Sequence, residues 1–213
     1  MPRLTLLLAH GWGYDPGFWE PLARHFADLP WLATDRGYFG APAAPVAGGP
    51  VVAIGHSLGA LLLLRDPPPQ CRALIAINGF DRFVEGPGVA GVPARPLDRM
   101  LARLRADPAR VLADFRARCG DPAPFPVPDP APLERDLRLL RDADARAIAA
   151  GWSAPILSLH GDADPLLPAP MRRQAFASAP DVTHATLPGG HLLPRTDPAG
   201  CATRIRALID ALA

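Results

Sequence analysis

Gly55-His56-Ser57-Leu58-Gly59 fits the pattern G-x-S-x-G and lies between the β-branched run Val51-Val52-Ala53-Ile54 and the apolar stretch Ala60 to Arg65. A strand before it and a helix after it is the context in which this pattern exposes a serine hydroxyl. The two glycines permit a sharp turn, and the start of the helix offers N–H groups and a positive dipole end to a developing oxyanion. The plainer alternative is a glycine-bounded turn whose serine caps a helix. On the first reading Ser57 is a nucleophile and the Leu58 N–H an oxyanion donor.

A serine hydroxyl needs a base, and the base needs an orienting acid. Of the six histidines, His191 lies in the glycine-rich stretch Leu187-Pro188-Gly189-Gly190-His191, after the last expected strand. That is where the order Ser, Asp, His places the base. His184 falls inside the strand and reads as a surface or packing residue. His10 and His160 each precede a glycine at a strand end and read as structural groups bonding backbone. The segment His160-Gly161-Asp162-Ala163-Asp164-Pro165 offers two acids, each also a plausible turn residue. Asp164, further past the strand end, is preferred over Asp162. His10-Gly11-Trp12-Gly13 follows the first expected strand, and the Trp12 N–H there can pair with that of Leu58.

These residues must be carried by an ordered framework. Leu4 to Ala9 reads as a buried strand, and apolar residues at helical spacing from Phe18 to Leu29 predict a helix stopped by Pro30. Further strands are expected at Trp31–Thr34, Val51–Ile54, Ala73–Ile77, Pro155–Leu159 and Thr183–Leu187, with helices at Ala60–Arg65, Met171–Ser178 and Gly200–Leu212. Strand, helix, strand in this order predicts an α/β fold with a parallel sheet. Between the two α/β portions, roughly 81–151, lie helix-like stretches at Leu97–Arg105, Pro108–Cys119 and Leu133–Ala150. That segment is expected to be a helical insertion, a lid over the sheet's end, within a single domain spanning 1–213.

Taken together, the chain resembles the α/β-hydrolase superfamily through His10–Gly13, Gly55–Gly59, Gly161–Pro168 and Gly190–His191. The resemblance implies a mostly parallel sheet with helices on both faces, and it makes the acid of Gly161-Asp162-Ala163-Asp164, on Asp164, catalytic. More narrowly, His10-Gly11-Trp12-Gly13 with Trp19 close behind, and the stretch Arg110-Val111-Leu112-Ala113-Asp114-Phe115, look like the pimeloyl-acyl-carrier-protein methyl esterases of biotin synthesis. That likeness implies an oxyanion and substrate contact at Trp12, an acyl-chain contact at Phe115, and a grip on the carrier protein by lid arginines, here Arg103 and Arg110. Two departures stand out. Only nine residues precede the His-Gly turn, and the loop from Gly37 to Pro50 is too short for the helix that usually precedes the nucleophile strand. A version of the fold trimmed at the N-terminus is therefore expected. His56 also stands where esterases of that pathway often carry Trp.

The composition bears on partners. The chain has 213 residues, 22 basic and 21 acidic side chains, and every basic residue is arginine. With no basic excess, nucleic acid is not an expected partner. No apolar run approaches the length that spans a bilayer, so no membrane partner is expected either. Cys71, Cys119 and Cys201 are odd in number and widely spaced, which argues against a disulfide framework or zinc site and fits a cytoplasmic location. A serine-based route calls for no cofactor and no metal. The near-zero net charge conceals an uneven distribution: residues 88–120 hold seven arginines against three aspartates. Arginine's donor fork suits phosphates and acidic helices, both of which an acyl-carrier protein offers, although a solvated helix face has the same composition. The expected function is hydrolysis of a small acyl ester through an acyl-enzyme, with the carrier-bound pimeloyl methyl ester as the preferred substrate. The alternatives are a general short-chain esterase, a lactonase or thioesterase, or a non-catalytic member binding an acyl ligand or a partner.

Overall fold

The computed structural model describes residues 3–212. Six strands form one fully parallel sheet: β1 (Thr5–Ala9), β2 (Trp31–Thr34), β3 (Val51–His56), β4 (Cys71–Ile77), β5 (Ile156–Gly161) and β6 (Val182–Leu187), in the order β2-β1-β3-β4-β5-β6. Parallel strands need crossovers, and these cover both faces. The continuous apolar runs of β1 and β3 follow from that double burial. Leu7, Ala9, Val51 and Ala53 enter the core on one face; Leu6, Leu8, Val52 and Ile54 enter the core on the other.

Helices α2 (Leu58–Arg65) and α7 (Ala169–Gln174) pack on the first face, while α1 (Glu20–Ala23), α8 (Leu193–Thr196) and α9 (Pro198–Ala211) pack on the second. The single helix expected over Phe18–Leu29 is instead α1 flanked by 3-10 turns at Pro16–Trp19 and Arg24–Phe26. Pro21 has no N–H to donate to Gly17, so one continuous ladder is excluded there.

Between β4 and β5 come α3 (Ala94–Leu104), α4 (Pro108–Cys119), α5 (Pro130–Asp142) and α6 (Arg146–Ala150). The expected helix over Leu133–Ala150 is broken at residues 143–145. The Ala145 N–H leaves the ladder for the Asp81 carbonyl, 2.8 Å away, and the Asp144 carboxylate pairs with Arg82 and Arg146. Two contacts fasten α5 to the sheet end. Buried Asp136 accepts from Arg36 at 2.6 and 2.8 Å and from the Tyr38 hydroxyl at 2.7 Å, and the Asp129 N–H reaches the Tyr38 carbonyl. Among the described residues no helix is long and apolar enough to cross a membrane.

The strand register sets the C-terminal ends of β1, β3, β4 and β5 side by side. The residues immediately after those ends are the ones singled out by chemistry. In open α/β sheets this is the edge where ligands bind.

Candidate active site

Ser57 follows the last residue of β3 and takes φ 53°, ψ −120°, a left-handed conformation that a non-glycine residue rarely adopts. The chain tolerates this turn only because its flanks carry no side chains. A Cβ on Gly59 would fall 1.9 Å from the Ala9 carbonyl oxygen, and one on Gly55 would fall 2.3 Å from the Ala60 nitrogen. The Ser57 N–H is tied to the Ile77 carbonyl at 3.0 Å, which fixes the turn against β4.

Helix α2 starts at Leu58, so the Leu58 N–H has no partner within the helix. The loop after β1 passes close by: a Cβ on Gly11 would lie 3.2 Å from the Ser57 Cβ. Neither the Trp12 nor the Leu58 N–H meets an acceptor among the described residues. The Trp12 indole is buried, and its Nε1–H donates to the Leu133 carbonyl at 2.9 Å, so only the backbone N–H of Trp12 is free for another ligand.

On the neighbouring loops, His191 Nδ1 lies 2.8 Å from Asp164 Oδ2, with both side chains buried. The Asp164 carboxylate is fully engaged. Oδ1 accepts from the N–H groups of Leu166 and Leu167 at 2.7 and 3.1 Å, and Oδ2 also accepts from Asn78 Nδ2 at 2.5 Å. Burial works against ionisation here. The hydrogen bonds from His191, Leu166 and Asn78 outweigh it and hold the carboxyl below the usual carboxylate range. Asp162 points elsewhere: its Oδ1 takes the Gly189 N–H at 2.9 Å and shapes the loop that carries His191. Across the imidazole ring from the Asp164 contact, His191 Nε2 is buried and has no partner among the described residues. Ser57 makes no hydrogen bond to it among the described residues.

The other histidines divide by environment. His10 Nδ1 lies 2.9 Å from the Gly11 carbonyl, and its Nε2 accepts the Arg36 N–H, so it braces backbone as expected. His160 pairs instead with a side chain, the Ser158 hydroxyl at 2.9 Å. His184 is exposed on β6. His56 had no functional assignment from the sequence. Its Nε2 donates to the His191 carbonyl at 2.8 Å, and its ring stacks on Phe18 at 4.5 Å between centroids. Burial first, and the neighbouring His191 second, keep His56 well below its ordinary titration range, so it stays a neutral brace. Sequence reasoning missed Asn78 altogether. Its one trace was a polar residue before glycine at the end of an apolar strand, a pattern shared with any turn.

Phe115 on α4 meets Trp12 edge to face, and the two rings line an apolar pocket with Phe83, Val92, Leu97 and Met100. Arg103 and Arg110 are exposed on the helices above it. Both are drawn toward Asp114, at 3.8 and 3.0 Å. Arg99 and Arg118 line the adjoining shallow groove and form no salt bridge among the described residues. No group of three or more His, Cys, Asp or Glu among the described residues is arranged to hold a metal ion.

A parallel sheet, a strained serine between strand and helix, and a histidine–aspartate pair at the same edge define a hydrolase of the α/β class. The sequence model of the alpha/beta hydrolase family matches residues 6–204, and the chain belongs to that family. Among the proteins it is similar to, a pimeloyl-[acyl-carrier protein] methyl ester esterase of Xanthomonas campestris is 29% identical, with 87% of each chain covered. One of the same name from Aromatoleum aromaticum is 27% identical over 98% of this chain and 99% of that one. In solved structures the fold recurs in an esterase from Exiguobacterium antarcticum, at a TM-score of 0.82 and 16% identity, covering 99% of this chain and 93% of that chain.

Proposed function

We propose that the protein is a serine carboxylesterase that hydrolyses a small acyl ester through an acyl-enzyme. Ser57 Oγ attacks the ester carbonyl carbon as its proton passes to His191 Nε2. The carbonyl oxygen becomes an oxyanion, which accepts from the Trp12 and Leu58 N–H groups. The C–O bond to the alcohol breaks, the leaving oxygen takes the proton from His191, and the acyl group stays on Ser57. Water then attacks the acyl-enzyme with its proton going to His191, and the carboxylic acid is released as Ser57 regains its hydrogen. Asp164 fixes the histidine's orientation and stabilises its charged form without taking the proton.

The observation that carries this reading is the 2.8 Å contact between His191 and Asp164, buried beside a serine held at φ 53°. Turnover of p-nitrophenyl acetate or butyrate tests it. Wild type should hydrolyse both, and Ser57→Ala should lose on the order of 10⁴–10⁶ in kcat. Equal rates in the two proteins would overturn it.

The favoured substrate is the methyl ester of a pimeloyl group on acyl-carrier protein. The names of the relatives support it, as does an apolar pocket lined by Trp12 and Phe115 beside Arg99 and Arg118, which form no salt bridge among the described residues. On this reading residues 81–151 act as a lid, Trp12 and Phe115 contact the acyl chain, and Arg103 and Arg110 with their neighbours meet the carrier protein. The work is assigned to the cytoplasm, where free Cys71, Cys119 and Cys201 are at home. Complementation of a biotin-requiring strain that lacks its esterase tests the substrate. Growth supports it, and failure with well-expressed, active protein contradicts it.

A further inference from the structure

We propose that Asn78 is a positioning residue for the Asp164–His191 pair, an inference that rests on the hydrolase reading above. Asn78 is the first residue after β4, the strand between the one that delivers Ser57 and the one that delivers Asp164. Its backbone is fixed from both sides. The preceding carbonyl, of Ile77, accepts the Ser57 N–H at 3.0 Å, while the Asn78 N–H donates to Leu159 at 2.7 Å.

The side chain is fully buried, and its Nδ2 lies 2.5 Å from Asp164 Oδ2, the same oxygen that faces His191. The same nitrogen reaches the Gly190 carbonyl at 3.4 Å, one residue before the histidine. An amide nitrogen has two hydrogens, and here one serves the acid while the other serves the loop that carries the base. The nitrogen must face the carboxylate, because an amide oxygen there would repel it.

Two local penalties accompany this arrangement. Asn78 holds φ 48°, in the left-handed region, and its Oδ1 is buried without a partner among the described residues. A framework residue chosen for stability alone would carry neither. Asparagine tolerates the left-handed conformation better than most residues and supplies the donor, which accounts for its presence at this point. The amide completes four donors on the Asp164 carboxylate and fixes the plane in which Oδ2 meets the imidazole. Its effect therefore reaches the reaction through Asp164 and His191, without a contact to substrate.

Two variants of the full chain separate this role from plain structure. Asn78→Gly removes the amide and accepts φ 48° without strain; Asn78→Asp keeps the shape and replaces the donor by an acceptor. The first readout is the far-downfield proton resonance of the His191 Nδ1–H, assigned by its loss in Asp164→Asn. It should be displaced or broadened in both Asn78 variants. The second is turnover of p-nitrophenyl acetate, where kcat should fall about 10–100-fold with KM little changed. An unmoved resonance with kcat at the wild-type level would overturn the proposal. So would loss of folding in both variants, which would assign Asn78 to the framework alone. If the wild type showed no Ser57-dependent turnover, the hydrolase reading would fail, and the resonance alone would then decide on Asn78.

Discussion

The ring of Phe115 meets the indole of Trp12 edge-on, with centroids 4.9 Å apart and planes at 89°. Through this pair, and through the bond from the Trp12 Nε1–H to Leu133, helices α4 and α5 touch the residue whose backbone N–H is proposed above as an oxyanion donor. An aromatic pair of this geometry contributes about 0.5–1.5 kcal/mol beyond its buried area. If Phe115 contacts the acyl chain with an energy in this range, Phe115→Ala should raise KM for p-nitrophenyl hexanoate by roughly two- to tenfold and change KM for the acetate far less. Equal changes for both esters would show that Phe115 does not sense the acyl chain.

Asp162 and Asp164 are two residues apart and should behave differently. Asp164→Asn leaves the volume intact but removes the charge that faces His191, and kcat should fall on the order of 10⁴-fold. Asp162→Asn keeps an oxygen that can accept the Gly189 N–H, so kcat should stay near wild type. A reversed order would move the acid to Asp162.

Acid should destabilise the protein well before its carboxylates are protonated. Burial holds His160 down to about 4 and pushes His10 and His56 below their ordinary 6.5. The unfolded chain therefore binds protons that the native state refuses. The stability these histidines supply is complete above their unfolded value and is lost as pH falls through it toward the folded value. For His160 the loss runs from pH 6.5 to about 4, at roughly 1.4 kcal/mol per pH unit. Tm measured against pH should fall across that window, and His160→Gln should flatten the slope. An unchanged slope would show that His160 does not contribute.

Asp121 ties the base of α4 to the helix that follows His191. It pairs with Arg116 at 2.5 Å and with Arg195 at 2.6 Å, and Arg116 is itself 7% exposed beneath the Tyr14 and Phe125 rings. Asp121→Ala leaves a buried guanidinium without its partner, a loss of about 3–5 kcal/mol. Thermal denaturation should show Tm lower by on the order of 10 °C. A shift within a degree or two would mean that water reaches Arg116 and relieves it.

The framework was legible because double burial writes itself into sequence. Val51-Val52-Ala53-Ile54 is apolar at every position, as a strand covered on both faces must be, and the glycines at 55 and 59 announce a turn that no side chain could share. The pairing of His191 with Asp164 was readable by order and loop context. Helix ends were less so. The break at Ala145 depends on the Asp81 carbonyl, 64 residues away in the chain, and no local propensity signals such a bond. Asn78 and His56 were invisible for the same reason. Each is held by hydrogen bonds to residues more than 80 positions distant, and only the folded sheet brings those partners together.

Labelling with a fluorophosphonate probe tests the central claim most directly, because only a serine activated by its neighbours reacts at an appreciable rate. Peptide mass spectrometry of the labelled protein should place one adduct on Ser57, and both His191→Ala and Ser57→Ala should abolish it. A folded wild-type protein that takes up no label, or takes it elsewhere while Ser57 stays unmodified, would contradict the account.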